Sequence, residues 1–241
     1  MQSNSEDPNF SKTFGQGGEL LLATANSGKA REFDLILSPI LSEYGFKLIT
    51  LADLPAQGRS FESPVEDGLT FLENAAIKAG YYHQKSGLLT LADDSGLCLE
   101  ALNGAPGVLS ARYGGPGLSD RMRSLKILAD LEQILESHKF ITRRAYFECS
   151  LVLVGGSAPD SFSWSGRLEG TITSELIGTE GFGYDPIFVP SGFSKTLAQM
   201  TPEEKNSLSH RALAIKAMSR DLNGGLLADL VGGLTGGQTG A

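Results

Sequence analysis

Five short stretches of the 241-residue chain carry the side chains able to do chemistry. Thr24, Ala25, Asn26, Ser27, Gly28 and Lys29 follow an apolar run, Glu19 to Ala23, and precede apolar residues at helical spacing. A strand–turn–helix there gathers backbone N–H groups, the positive end of a helix dipole and the Lys29 ammonium at one point, which suits a phosphate. It is not a P-loop, because that motif needs Gly at 23 and Ser or Thr at 30, and both are Ala. Taken alone, the stretch also reads as a polar turn with a solvated lysine. Asp93, Asp94 and Ser95 come next, at the end of a second apolar run. Adjacent side chains on extended backbone point to opposite faces. One carboxylate can therefore face a cleft, holding magnesium or taking a proton from water, while the other braces the loop. A plain Asx turn at a strand end fits the same residues.

Glu66 and Asp67 precede Gly68, and Asn74 and Lys78, four apart, share one face of the helix that follows, where they could reach one ligand, a solvated helix face being the commoner reading. Gly181-Phe182-Gly183-Tyr184-Asp185-Pro186 describes a tight loop with an exposed ring, able to stack on a base, and a carboxylate to orient it. Its alternative is a glycine turn with both rings tucked into the core. Lys205 and Arg211 could answer phosphates or the keto oxygens of a base, and His210 beside them reads equally as a satisfied surface histidine. No Gly-x-Ser-x-Gly elbow and no Gly-x-Gly-x-x-Gly fingerprint is present.

The elements that must position these groups are legible in outline. Glu19–Ala23, Phe46–Leu51 and Leu88–Ala92 read as strands, the last stopping at Asp93-Asp94-Ser95-Gly96. Phe33, Ile36, Leu37, Ile40 and Leu41 recur at helical spacing. A helix over Thr70–Lys85 has Thr70 as N-cap, Glu73 closing a capping box, and Leu72, Ala75, Ala76 and Ala79 as its apolar positions. Another over Ser119–Leu135 puts Met122, Leu125, Leu128, Leu131 and Leu135 on one side. Ala145, Phe147, Cys149, Leu151 and Leu153 alternate, as do Phe162, Trp164, Gly166 and Leu168, with a turn at Gly155-Gly156-Ser157 and Pro159: a long hairpin. Thr201-Pro202-Glu203-Glu204 opens a last helix that Asn223-Gly224-Gly225 stops. Parallel-like pattern first and antiparallel pattern later predict an α/β fold with a mixed sheet.

Composition bounds the rest. A formal charge of −8 argues against a protein built to coat nucleic acid or an anionic membrane, and 41% hydrophobic residues suffice for a core. The longest apolar runs are far short of the roughly 20 residues that span a bilayer. The first twenty residues carry no secretory pattern, and Cys98 and Cys149 match no zinc motif, so a reduced, cytoplasmic protein is expected. Residues 1–18 and the glycine-rich 226–241 read as flexible extensions around one domain at 19–225.

Six stretches together resemble one family, the inosine triphosphate pyrophosphatases, also called dITP/XTP pyrophosphatases. They are LLATANSGKAREF (21–33), GLTFLENAAIKA (68–79), LADDSGL (91–97), GAPGVLSARYGG (104–115), GTEGFGYDPIFVP (178–190) and TPEEKNSLSHRALA (201–214), in the family's order. The resemblance implies a two-lobed single unit around a long mixed β-sheet, a nucleotide cleft between the lobes, and a homodimer. It implies hydrolysis of ITP, dITP and XTP to monophosphate and pyrophosphate with Mg2+. Thr24 to Lys29 would hold the triphosphate, and Asp94 would be the catalytic carboxylate at the metal, with Ser95 contacting substrate. Phe182, Gly183, Tyr184, Asp185, Lys205, His210 and Arg211 would bind base and phosphates, with Lys78 and Asp93 supporting. No nucleic acid or membrane partner is expected.

Three features depart from the family's pattern. Ala25 stands where glycine is usual, and the acidic stretch reads Val65-Glu66-Asp67 where relatives often carry Glu first, which leaves a metal role for Glu66 in doubt. The two terminal extensions match nothing in it. The rival within enzymes is a Maf-type nucleotide pyrophosphatase with another base preference, against which the His210-Arg211 pair and the Phe-Gly-Tyr-Asp loop argue. The rival from another class is a catalytically silent triphosphate sensor, which a broken acidic site would favour, whereas Asp93 and Asp94 are both present.

Overall fold

The computed structural model describes residues 18–54, 61–137, 142–155 and 161–223. The two terminal extensions apart from Gly18, the Gly156–Pro159 part of the hairpin turn and the Gly224-Gly225 stop lie outside the described residues. In chain order the elements are β1 (Glu19–Leu22), α1 (Ser27–Glu43), β2 (Lys47–Thr50), α2 (Phe71–Ser86) and β3 (Leu89–Leu99). Two 3-10 turns, Glu100–Leu102 and Gly107–Arg112, lead to α3 (Asp120–Ser137), β4 (Arg144–Val154) and β5 (Ser161–Ile172). Then come β6 (Phe188–Pro190), α4 (Pro202–Leu208) and α5 (His210–Asn223).

The strands form one six-stranded sheet in the order β2-β1-β3-β4-β5-β6. β1 pairs parallel with β2 and β3, and every later pairing is antiparallel, so the sheet is mixed as the pattern predicts. The hairpin register sets Phe147 opposite Leu168, Cys149 opposite Gly166, Leu151 opposite Trp164 and Leu153 opposite Phe162, uniting the two alternating series on one face.

One correction matters for function. β3 does not stop at Ala92 but runs through Asp93, Asp94, Ser95 and Gly96 to Leu99. Its antiparallel partner β4 pairs with ten consecutive residues of it, Thr90 to Leu99, and that non-local ladder outweighs the turn-forming tendency of Asp and Ser. On its other side β1 reaches only Leu91. Beyond that point the β1 flank of β3 opens beside the Thr24–Lys29 turn, a crevice at the carboxyl ends of parallel strands.

Three apolar clusters frame the crevice. One face of the sheet packs α2 through Ala75, Ala79 and Tyr82 against Leu21, Ile49, Ala92 and Val152. The other face is divided. At one end Leu89, Leu91, Cys149 and Leu151 meet Phe33, Leu37 and Leu41 of α1 and Ala214, Ile215 and Met218 of α5. At the other, Leu97, Leu99, Ala145 and Phe147 meet Ile127, Leu128 and Leu131 of α3 with Tyr184, Ile187 and Phe188. Asp93 and Ser95 lie between the two clusters, at the gap between lobes. At Gly166 the close packing is set by size, because a Cβ there would sit 2.2 Å from the His210 carbonyl oxygen and 2.4 Å from the Ala214 nitrogen.

Two helix faces differ from expectation. In α2 the buried residues are Phe71, Asn74, Ala75, Ala79 and Tyr82, with Leu72 and Ala76 exposed. In α3 Ser124 and Ile127 face inward beside Leu128 and Leu131, while Met122 and Leu125 are exposed. Each stripe is rotated because a polar residue, Asn74 or Ser124, has a buried partner. The closing helix is two helices. Ser209 is extended (φ −62°, ψ 155°) and its Oγ accepts from the Ala212 N–H at 3.2 Å, so it caps a new helix starting at His210. Both expected capping boxes, Thr70 with Glu73 and Thr201 with Glu204, are formed.

Candidate active site

The Thr24–Lys29 turn is held by its own side chains. Asn26 is the N-cap of α1, its Oδ1 accepting from the N–H groups of Gly28 at 2.9 Å and Lys29 at 3.1 Å. Thr24 Oγ1 accepts from the Asn26 N–H at 3.3 Å. Two of the N–H groups expected to be free are therefore taken by the Asn26 oxygen, since a side chain at the N-cap reaches them first. What the turn offers a phosphate is the Asn26 amide nitrogen, Ser27 and the Lys29 ammonium.

Lys29 Nζ lies 2.8 Å from Asp93 Oδ2. The same oxygen accepts from Ser95 Oγ at 3.0 Å, and Ser95 Oγ in turn accepts from Arg211 Nη2 at 3.2 Å. Burial would raise the Asp93 carboxyl, but Lys29, Lys78 and Arg211 outweigh it and hold it at about 2. Asp93 thus braces Lys29 from within a strand rather than bracing a loop.

Asp94 points to the opposite face, as alternation predicts. Asn74 Nδ2 donates to its Oδ2 at 3.3 Å, and Lys78 Nζ approaches its Oδ1 at 3.5 Å. Lys78 also meets Glu66 Oε2 at 3.1 Å, so a single cation bridges Asp94 and Glu66. Asn74 is itself pinned, its Oδ1 accepting from the Gly68 N–H at 2.9 Å, which ties the acidic loop to α2. Burial raises the Asp94 carboxyl above its usual range, with Lys78 and Lys29 pulling the other way. A carboxylate raised in this direction is a stronger base than an ordinary aspartate, which suits taking a proton from water.

The third group is a buried charge cluster. Glu32 accepts from Lys205 Nζ at 2.6 Å and from Arg211 Nη1 at 2.6 Å. Lys205 also pairs with Asp185 Oδ2 at 2.5 Å, and that oxygen accepts from the Phe182 N–H at 2.9 Å. The loop around it is tight: Gly181 and Gly183 have φ of 79° and 62°. Phe182 is half-buried, Tyr184 is in the core with its hydroxyl donating to the Ser110 carbonyl at 2.8 Å, and Asp185 is buried. The expected exposed ring and carboxylate are thus largely inside, because Lys205 supplies a buried partner for Asp185. Burial raises the Asp185 carboxyl, Lys205 opposing it. His210 stacks on Phe147 at 4.8 Å with ring planes 10° apart, and neither ring nitrogen has a partner. Burial, then Arg211, Lys205 and Lys29, hold its pKa well below the usual value, so it is neutral.

These groups surround a cavity of about 290 Å³, whose lining includes Asn26, Lys29, Phe147, Phe182, Tyr184, His210 and Arg211. Phe182 also lines a hollow of about 590 Å³ that reaches Ala25, Ser27, Gly28, Glu32 and Lys205. Its ring lies against Gly28, where a Cβ would come within 2.7 Å of it, and the ends of Lys205 and Arg211 lie 4.7 and 5.2 Å from its centre. Asp94, Lys78 and Glu66 line neither hollow. They stand on the other face of β3, joined to the cavity through the Asp93–Lys29 pair and the open flank of the strand.

Sequence reasoning did not single out Glu32, Asp120, Arg123 or Ser124. For Glu32 a signal exists: it lies four residues before Ile36, on the spacing of the apolar stripe, and a carboxylate there needs a buried cation. Asp120 and Ser124 hold the 181–185 loop, Asp120 Oδ2 accepting from the Gly183 N–H at 2.8 Å and Ser124 Oγ donating to the Gly183 carbonyl at 3.2 Å. No local pattern announces a contact made across so many residues.

The model of the Ham1 family matches residues 20–221. A dITP/XTP pyrophosphatase of Listeria monocytogenes is 43% identical over 204 residues, covering 85% of this chain and 94% of the relative. One from Shigella flexneri is 41% identical over 208 residues, covering 86% and 99%. Among solved structures, a HAM1 protein from Coxiella burnetii superposes with a TM-score of 0.73 at 38% identity, covering 85% of this chain and 98% of that one. A dITP/XTP pyrophosphatase from Mycobacterium abscessus does so at 0.64 and 38%, covering 83% and 98%.

Proposed function

This chain belongs to the Ham1 family, and from that premise we propose that it hydrolyses the non-standard purine triphosphates ITP, dITP and XTP to monophosphate and pyrophosphate. The observation that carries this is one base-sized cavity whose lining combines aromatic rings with a lysine. Its walls are Phe182, Tyr184, a neutral His210 and Arg211, and Lys29 stands where β3 opens beside Asp94. The base stacks on Phe182 and the triphosphate runs along Asn26, Ser27 and Lys29, with Lys78 supporting it at Asp94. Asp94 accepts the proton of the attacking water as the anhydride bond between the α and β phosphates breaks. Asn74 and Lys78 orient its two oxygens.

Base selection follows from donors that have no partner inside the protein. Arg211 Nε and the two ring nitrogens of the neutral His210, one a donor and the other an acceptor, are buried without a partner. A 6-keto oxygen satisfies such a donor, whereas the 6-amino group of adenine opposes it and leaves it unsatisfied.

The charges support magnesium as cofactor. Lys29, Lys78, Lys205 and Arg211 are already paired with Asp93, Asp94, Glu66, Glu32 and Asp185, four cations to five carboxylates. A triphosphate entering this site needs added positive charge. Asp94 and Glu66 already converge on one cation, Lys78, so these two carboxylates fit a divalent ion. Among the described residues no group of three or more His, Cys, Asp or Glu could hold a metal unaided. Asp94 and Glu66 would therefore hold it together with substrate phosphates, as magnesium commonly binds. When bound, it would neutralise phosphate charge and help position water.

The homodimer belongs to the same proposal. Val65, Leu69, Leu72 and Leu109 expose large apolar side chains, and Arg112 Nη2 donates to the Glu66 carbonyl at 3.3 Å, bringing the two segments together as a surface for a second copy. Among the described residues no helix is long and apolar enough to cross a membrane. A cytoplasmic site of action without nucleic acid partners suits the net charge of −8. Chromatography of the products of ITP with magnesium tests the reaction: IMP and pyrophosphate are expected, and IDP with phosphate contradicts it.

A further inference from the structure

Phe182 has a glycine on each side, both at positive φ, so the backbone that aims its ring is intrinsically free to turn. The start of α3 restrains it. Asp120 Oδ2 accepts from the Gly183 N–H at 2.8 Å and Ser124 Oγ donates to the Gly183 carbonyl at 3.2 Å, so one helix holds both polar groups of that glycine. Asp120 is available for this because Ser119 does the capping, its Oγ accepting from the Met122 N–H at 3.3 Å. A carboxylate in the first turn is also favoured by the helix dipole. The other Asp120 oxygen takes Arg123 Nη1 at 2.9 Å, which fixes the carboxylate's direction. The Asp120 side chain is 53% exposed, so it serves the loop and not the core.

We infer that Asp120 is a positioning residue for substrate binding, with Ser124 sharing the role: by holding Gly183 it fixes the Phe182 ring where the base stacks. This rests on the nucleotide function proposed above and adds a residue to it. The ring sits against Gly28 with Lys205 and Arg211 beside it, an arrangement that lasts only while the adjoining peptide is fixed. A ring already fixed loses less freedom when a base arrives, and the base binds more tightly for it. The neighbouring side chains have anchors of their own, Tyr184 through its hydroxyl on the Ser110 carbonyl and Asp185 through Lys205. Phe182 is therefore the side chain that depends on Asp120. Stacking on the base is the same before and during the reaction, because the bond that breaks lies between the α and β phosphates. Its loss therefore appears in KM rather than in kcat.

The test is steady-state hydrolysis of ITP with magnesium by the full chain, comparing wild type, Asp120→Ala, Asp120→Asn, Phe182→Ala and the Asp120→Ala/Phe182→Ala double variant. Asp120→Ala is expected to raise KM about tenfold, the size of one hydrogen bond to a charged group, with kcat within about threefold of wild type. Asn keeps an acceptor for the Gly183 N–H, so Asp120→Asn is expected to hold KM within about threefold of wild type. Phe182→Ala raises KM by itself through lost stacking, and adding Asp120→Ala to it is expected to cost less than about twofold more. If Asp120→Ala folds poorly, Ser124→Ala, which removes the tie to the Gly183 carbonyl, is read in its place. A rise of about tenfold in both backgrounds, an Asn variant no better than the Ala one, or an Asp120→Ala KM within about twofold of wild type each overturns the role of Asp120 and leaves the pyrophosphatase function standing. A wild type that hydrolyses neither ITP nor XTP overturns that function, and this assignment with it.

Discussion

Glu32 and Arg211, 179 positions apart, meet through a hydrogen bond of 2.6 Å between Oε2 and Nη1. The other oxygen of Glu32 takes Lys205 at the same distance, so one carboxylate ties α1 to both closing helices. Burial would raise the Glu32 carboxyl, but Arg211 and Lys205 together bring it below its usual value. All three groups are buried, and each is tolerable only because the others are present.

Removing that carboxylate should therefore cost more than a surface ion pair would. Glu32→Gln leaves Lys205 sharing only Asp185, and Arg211 without a counter-charge on α1. Urea denaturation is expected to show a loss of about 3 kcal/mol, the usual scale for breaking a buried pair. A loss under about 1 kcal/mol contradicts this account of the cluster.

His210 gives stability a dependence on pH. Its folded pKa lies below the ordinary 6.5, so near that pH the unfolded chain takes up a proton that the folded chain refuses. Stability must then fall as pH drops below 6.5, by up to about 1.4 kcal/mol per pH unit from this group. In His210→Gln the slope between pH 6.5 and 5 is expected to be shallower by about 1 kcal/mol per unit in parallel denaturation curves. Parallel slopes in the two proteins would place the His210 ring in water instead.

Arg211 should carry discrimination as well as structure. Arg211→Lys keeps a cation for Glu32 but loses the planar guanidinium that lines the cavity and reaches Ser95 Oγ through Nη2. The ratio of kcat/KM for ITP over ATP is expected to fall about tenfold or more, while Glu32→Gln serves as the control for lost stability. An unchanged ratio removes Arg211 from base selection.

Much of this was legible along the chain where causes are local. The capping boxes at Thr70 and Thr201 form as written, and the alternation in 145–153 and 162–168 sets a register in which Cys149 faces Gly166. The Asp93 and Asp94 side chains divide between two faces because extended backbone requires it. What stayed hidden depends on distant partners. β3 continues through Asp93 and Asp94 because β4 pairs with it, setting Leu151 against Asp93 and Ser150 against Asp94. Asn26 looked like part of a phosphate turn, yet its oxygen caps α1. Ser209 looked like a mid-helix residue, yet it caps a new helix and so delivers His210 and Arg211 to the cavity. Of the site residues, Lys29 and Asp94 could be proposed from type and spacing. Arg123 and Asp120 could not, since only packing brings α3 against the 181–185 loop.

The central claim is that Asp94 takes the proton of the attacking water in pyrophosphate release from deaminated purine triphosphates. The direct measurement is pyrophosphate release from XTP, ITP, GTP and ATP with magnesium, comparing wild type with Asp94→Asn. Wild type is expected to turn over XTP and ITP far faster than GTP or ATP, and the variant to lose about a hundredfold or more of kcat while still binding nucleotide. An Asp94→Asn enzyme that retains most of its kcat would contradict the assignment. A wild type that binds ITP without hydrolysing it would mark a triphosphate sensor, and fast turnover of other nucleotides would move the chain towards the Maf-type preference.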